Sequence, residues 1–234
     1  MSDPAQSEDF AAYLAPADLI DSDHPEIVAY AHQAVGDADD DIEKAVRLYY
    51  AVRDDIFYDP YEVYLTHDGL RASRCLQRRR GFCVTKGALL AAAARVVGIP
   101  SRVGYADVRN HLASQRLTDF METDIFIYHG YTELFVGGKW VKSTPAFNIE
   151  MCQRFGVLPL EFDGRQDSLF HPFDAAGREH MEYLNFRGDH ADVPAQEIID
   201  AFMDYYPKAY SESVGIEGDL LAEYEAEQAA KAGR

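Results

Sequence analysis

The run from Gly81 to Pro100, GFCVTKGALLAAAARVVGIP, constrains this chain more than any other stretch. Its centre is a series of Ala and Leu, the strongest helix formers. Gly98 terminates such a helix and Pro100 prevents its continuation. The apolar stretch, Ala88 to Ala94 with Val96 and Val97 beyond Arg95, falls far short of the ~20 residues needed to span a bilayer. The sequence therefore predicts a helix within a folded domain, with Cys83 at its head. Unpaired N–H groups and the positive end of the dipole favour a thiolate at that place, and the thiolate is the attacking species of thiol chemistry.

His129 follows Cys83 by 46 residues and heads a strand-like run. A thiol at a helix N-terminus and an imidazole from a neighbouring strand are the two parts of a Cys-His nucleophilic site. The surrounding pattern supplies the scaffold. Residues 101–108 alternate as a strand, and 124–136 with 139–145 read as a hairpin around Gly137-Gly138, a favoured two-residue turn. His24-Pro25-Glu26 opens a helix with Ile27, Tyr30, Ala31 and Ala34 on one face, and a second helix runs from about Asp40 to Asp54. After residue 149 the pattern is less regular. Residues 160–174 read as a long ordered loop, and 192–210 and 218–231 as helices.

Two blocks carry a family resemblance. Arg79-Arg80-Gly81-Phe82-Cys83, the Ala-rich helix, and Gly98-Ile99-Pro100-Ser101-Arg102-Val103 resemble the R-G-x-C, helix, G-I-P-[AS]-R-V core of the transglutaminase-like cysteine hydrolases. Downstream, His129-Gly130-Tyr131-Thr132-Glu133-Leu134 with Gly138-Lys139-Trp140-Val141 is similar to that family's H-x-[WY]-x-E-[LV] and G-x-W-V block. The resemblance covers roughly residues 71–148. It implies an α+β, papain-like or transglutaminase-core fold, in which the helix bearing the nucleophilic Cys83 packs on an antiparallel β-sheet, with additional helices at both ends. The length of 234 residues suits one domain over 1–234, its core expected at about 40–150 and helical and loop additions at 1–39 and 151–234.

The third catalytic role, holding the imidazole tautomer, departs from the family pattern. The family carries an Asp in W-V-x-x-D-P, and here Trp140-Val141-Lys142-Ser143-Thr144-Pro145 places Thr144 there. Threonine brings no negative charge. Asn148, four residues on, shares the face of Thr144 by strand parity if the strand continues, and an amide oxygen can orient a histidine; Asp163 ranks below it. Gln77, six residues before Cys83, resembles in placement the oxyanion-hole glutamine of papain-like proteases. His111, His171 and His180 read as loop or surface residues.

The chain carries a net charge of −18 and a pI near 4.7, which argues against a nucleic-acid partner. Arg71, Arg74, Arg78, Arg79 and Arg80 form a basic cluster before Cys83. That cluster either lowers the thiol pKa, attracts an anionic substrate, or is a solvated loop. Together with the helix end and His129 it predicts a depressed Cys83 pKa. Three cysteines without metal-like spacing point away from a disulfide scaffold and from a metal site, and no cofactor is expected. The N-terminal residues show no basic region followed by an apolar core, so a cytoplasmic location without membrane attachment is expected.

The function expected is a cysteine-dependent acyl-transfer enzyme that hydrolyses an amide of a peptide, a protein or a small molecule through a thioester. Transfer to an amine is the alternative, because water and an amine are acceptors of the same thioester. No calcium-loop spacing is visible, which disfavours a calcium-regulated crosslinking enzyme. A non-catalytic binding module that kept the fold is the alternative from another class, and Thr144 is its main support.

Overall fold

The computed structural model describes residues 10–111, 114–169 and 181–210, together with residues 222, 223, 226 and 229. Helices α1 (Ala11–Leu14), α2 (Pro25–Val35) and α3 (Asp41–Asp55) come first. Pro25 sits in the first turn of α2, where its missing N–H costs nothing, and the Asp40 side chain accepts the Glu43 N–H at 3.0 Å to start α3. A two-residue strand β1 (Phe57–Tyr58) pairs in parallel with β2 (Arg80–Gly81) across the short helix α4 (Ala72–Arg78). Helix α5 (Cys83–Val96) follows, and every residue from Cys83 to Arg95 is buried.

That burial explains the apolar composition of the run. Neighbouring elements surround α5, so it has no solvent face to mark with charge. Lys86 is the exception in composition but not in position. It is fully buried, and its ammonium donates to the carbonyl oxygens of Arg53, at 3.0 Å, and Ile56. Those are carbonyls at the end of α3 that have no intrahelical donor, so Lys86 ties α3 and the start of β1 to α5.

Strands β3 (Ser101–Asn110), β4 (Ile125–Val136), β5 (Lys139–Ser143) and β6 (Met181–His190) form one antiparallel sheet in the order β5-β4-β3-β6, with helix α6 (Gln115–Met121) between β3 and β4. The hairpin turn between β4 and β5 is the expected Gly137-Gly138, with φ of 61° and 81°, the left-handed pair that a type I′ turn requires. Helix α7 (Ile149–Phe155) precedes β6, and α8 (Ala195–Tyr205) and α9 (Pro207–Tyr210) follow it. The architecture is α+β, with the Cys83 helix packed on an antiparallel sheet and helices at both ends, as expected. No described helix is long and apolar enough to cross a membrane.

Several elements differ from the sequence reading. Strand β5 ends at Ser143, and Asn148 is the residue that starts α7, so the parity argument that put Asn148 on the face of Thr144 fails. Pro145 offers no N–H for further pairing with β4. The helix expected over 192–210 is split at Pro207, which cannot accept a preceding helical turn without losing a hydrogen bond. β6 escaped the sequence reading because its exposed positions include Leu184 and Phe186, which blur the alternation of an edge strand. Most of the helix expected over 218–231, and part of the loop expected over 160–174, lie outside the described residues.

Candidate active site

Cys83 is the first residue of α5, and His129 lies on β4 beside Gly130. Gly130 is what lets the two elements meet. A Cβ added there would stand 3.0 Å from both the Cys83 carbonyl oxygen and Val84 Cα, a contact with main chain that cannot swing aside. One turn further, the Thr132 hydroxyl donates to the Gly87 carbonyl at 2.8 Å and pins the helix to the strand. Both Cys83 and His129 are buried, and they line one cleft together with Tyr58, Phe82, Asn110 and Phe126 among others. The Tyr183 ring of β6 meets the imidazole edge to face, with centroids 6.5 Å apart.

The backbone immediately before His129 is strained. Ala106 pairs with His129 but Val108 pairs with Phe126, so Ile127 and Tyr128 oppose Asp107 alone in a β-bulge. Tyr128 adopts φ of 52°, the left-handed region that costs a non-glycine residue of order 1–3 kcal/mol. Asp107 holds it there. One carboxylate oxygen accepts the Tyr128 N–H at 3.2 Å and the Arg187 Nε–H at 2.5 Å, and the Arg187 guanidinium lies 4.4 Å over the Tyr128 ring. Sequence reading missed Asp107 because a bulge is visible only once strands are paired; the one signal was an acidic residue on the face of the apolar Val103 and Tyr105.

The thiol departs from expectation. Burial pushes Cys83 up to about 11, against backbone N–H groups of Gly130, Val84 and Cys83 itself, which face the sulfur and act to lower it. The arginines play no part. Arg71 pairs with Asp18, Arg74 with Asp68, and Arg80 with Asp59, while Arg78 lies over the Tyr64 ring and Arg79 over that of Tyr30. The depressed pKa predicted from sequence is therefore corrected: dehydration of the sulfur outweighs the helix end, and the arginines, three paired with carboxylates and two lying over aromatic rings, are not among the groups that act on it.

Gln77 is exposed on α4, accepting from Arg74 at 3.0 Å and donating to Glu26 at 3.3 Å, and it does not line the cleft. The oxyanion role expected of it finds no geometry here. The Asn148 side-chain oxygen accepts the Tyr58 N–H at 3.2 Å, so it braces β1. Asp163 is exposed and caps its own turn, accepting from the Arg165 and Gln166 N–H groups at 2.8 Å. Thr144 is buried, and its hydroxyl makes no hydrogen bond among the described residues. His111 is exposed in a turn, and His171 and His180 lie outside the described residues. The structure thus brings together Cys83 and His129, and adds Asn110 as a polar side chain in the same cleft.

A helix-borne thiol and a strand-borne imidazole on one cleft define a cysteine-type enzyme scaffold. The model of the transglutaminase-like superfamily matches residues 28–145, half of the chain, and the chain belongs to that superfamily. No curated protein sequence matches it. Among solved structures it is similar to a candidate cysteine protease from Cytophaga hutchinsonii, at 17% identity over 80% of this chain and 55% of that one, with a TM-score of 0.46. It is also similar to a candidate protease from Parabacteroides distasonis, at 17% identity over 51% of this chain and 23% of that one, with a TM-score of 0.37. The chain thus spans little more than half the length of the first and about a quarter of the second.

Proposed function

We propose that the protein is a cysteine-dependent acyl-transfer enzyme that hydrolyses an amide, with Cys83 as nucleophile and His129 as acid and base. The observation that carries this reading is the shared cleft of the two side chains at the helix N-terminus. In the reaction the imidazole takes the thiol proton as sulfur bonds to the amide carbon, and returns that proton to the nitrogen as the C–N bond breaks. The amine leaves and an acyl thioester stays on Cys83. Water then attacks the thioester carbon, His129 takes its proton, and the carboxylic acid departs as the thiol is restored. Because the free thiol is held near 11 by burial, the proton transfer to His129 accompanies attack. The backbone N–H groups of Cys83 and Val84 at the helix start, which face the sulfur, are the candidate donors for the developing oxyanion.

The test is intact-protein mass spectrometry during turnover of an activated acyl donor such as a 4-nitrophenyl ester. The expected result is a single acyl adduct mapped to Cys83 and lost in Cys83→Ala, with accumulation in His129→Ala reduced at least 100-fold. Adducts on Cys75 or Cys152 alone would overturn the assignment. Thr144 at the position of the family's acid favours a second reading, a binding module without turnover. That reading predicts no acyl adduct on Cys83 in a folded, wild-type protein. Addition of a primary amine separates hydrolysis from transfer, since a transfer enzyme yields the new amide in place of the acid.

A further inference from the structure

The cleft that holds Cys83 and His129 also shows what it is built to receive. We infer that it binds an uncharged, apolar acyl group, and that part of the wall selecting this group is supplied by the chain beyond the family core; the inference rests on the acyl-transfer reading above. Leu117 and Met121 enter from α6, and Phe147, Met181, Phe202 and Tyr206 come from residues after the matched stretch that ends at 145. No Asp, Glu, Lys or Arg side chain lines the cleft among the described residues.

Tyr206 lines the cleft with its hydroxyl already engaged. That hydroxyl accepts the Ile127 N–H at 2.7 Å and donates to the Ile125 carbonyl at 3.0 Å, so its polar capacity is spent on β4. The same two bonds fix the wall to the strand that carries His129. Of the arginines before Cys83, Arg71, Arg74 and Arg80 are paired with Asp18, Asp68 and Asp59, and none of the five lines the cleft. An acyl group bearing a negative charge would enter a site with no Lys or Arg to neutralise it among the described residues.

An aliphatic acyl chain, or an aliphatic side chain next to the scissile amide, suits that lining.

The test is a series of 4-nitrophenyl esters on the full chain: acetate, butyrate, valerate and the hemisuccinate, which places a carboxylate at the length of valerate. The expected kcat/KM rises about fourfold per methylene from acetate to valerate, as complete burial of each group gives. The hemisuccinate lies at least 100-fold below valerate. Phe202→Leu, which removes part of the apolar wall, should reduce the gain per methylene. A flat series, or a hemisuccinate as good as valerate, with acyl adducts still forming on Cys83, would overturn the inference and leave the acyl-transfer reading standing. Absence of an adduct on Cys83 with every ester would overturn both. The wild-type series decides the matter even if Phe202→Leu fails to fold.

Discussion

Lys86→Met tests the scaffold beneath the candidate site without touching the cleft. Lys86 is one turn from Cys83 on α5, and burial pulls its ammonium from 10.5 down to about 7. That gap corresponds to about 5 kcal/mol between the charged and neutral forms. The carbonyls of Arg53 and Ile56 favour the charged form and make this an upper figure. Folding lowers the pKa, so between about 7 and 10.5 the unfolded chain binds a proton that the folded chain does not. Stability must therefore rise with pH across that window, by up to about 1.4 kcal/mol per pH unit, and be lost as pH falls through 7. Methionine removes the titration but leaves two buried carbonyls without their donor, at a cost of about 1–3 kcal/mol each.

Urea unfolding of wild type and Lys86→Met from pH 6 to pH 9 isolates the effect, since groups common to both proteins cancel in the difference. Burial pushes Cys75 and Cys152, which lie near Lys86, up to about 11, so neither titrates in the folded state inside this range. The wild type should gain about 2 kcal/mol on the variant between pH 7 and pH 9. From pH 7 to pH 6 the difference should change by only about 0.4 kcal/mol more, because Lys86 is then protonated in both states. Parallel curves would refute the reasoning, because Lys86 would then keep its proton in the folded state at the pH where any lysine does.

Three further outcomes are expected. With Cys75 and Cys152 replaced, iodoacetamide labelling of Cys83 in the free protein should rise about tenfold per pH unit from 7 to 10, since burial pushes the thiol up to about 11; a plateau below pH 8 would mean a preformed thiolate. Thr144→Val should raise Tm by about 2–4 °C by removing a buried hydroxyl that makes no hydrogen bond among the described residues. Thr144→Asp should destabilise by several kcal/mol through an unpaired buried charge, and calorimetry that found the aspartate tolerated would show a partner for it. Asp107→Ala should release the Tyr128 N–H and the left-handed bulge before His129, lowering kcat about tenfold or more with KM little changed; rescue by Asp107→Asn, which retains an oxygen acceptor, separates positioning from charge.

The sequence by itself determined the elements whose signal is local. The Ala-rich run, with its Gly98 and Pro100 stop, defined α5 and put Cys83 at its head, because propensity and helix termination act over a few neighbouring residues. Gly137-Gly138 defined the hairpin for the same reason, and the two ordered blocks were enough to identify the family. What the sequence left undecided depended on which surfaces meet. Asn148 and Gln77 had suitable chemistry and spacing, yet strand β5 stopped at Ser143 and α4 turned Gln77 to the surface. Only the fold could show that the helix end favouring a thiolate is overruled by burial of the sulfur, because dehydration depends on everything packed around Cys83 and not on its neighbours in sequence. The bulge at Tyr128 and the Tyr206 wall were likewise invisible, each being made by residues 21 and 79 positions apart that only tertiary packing brings into hydrogen-bond contact.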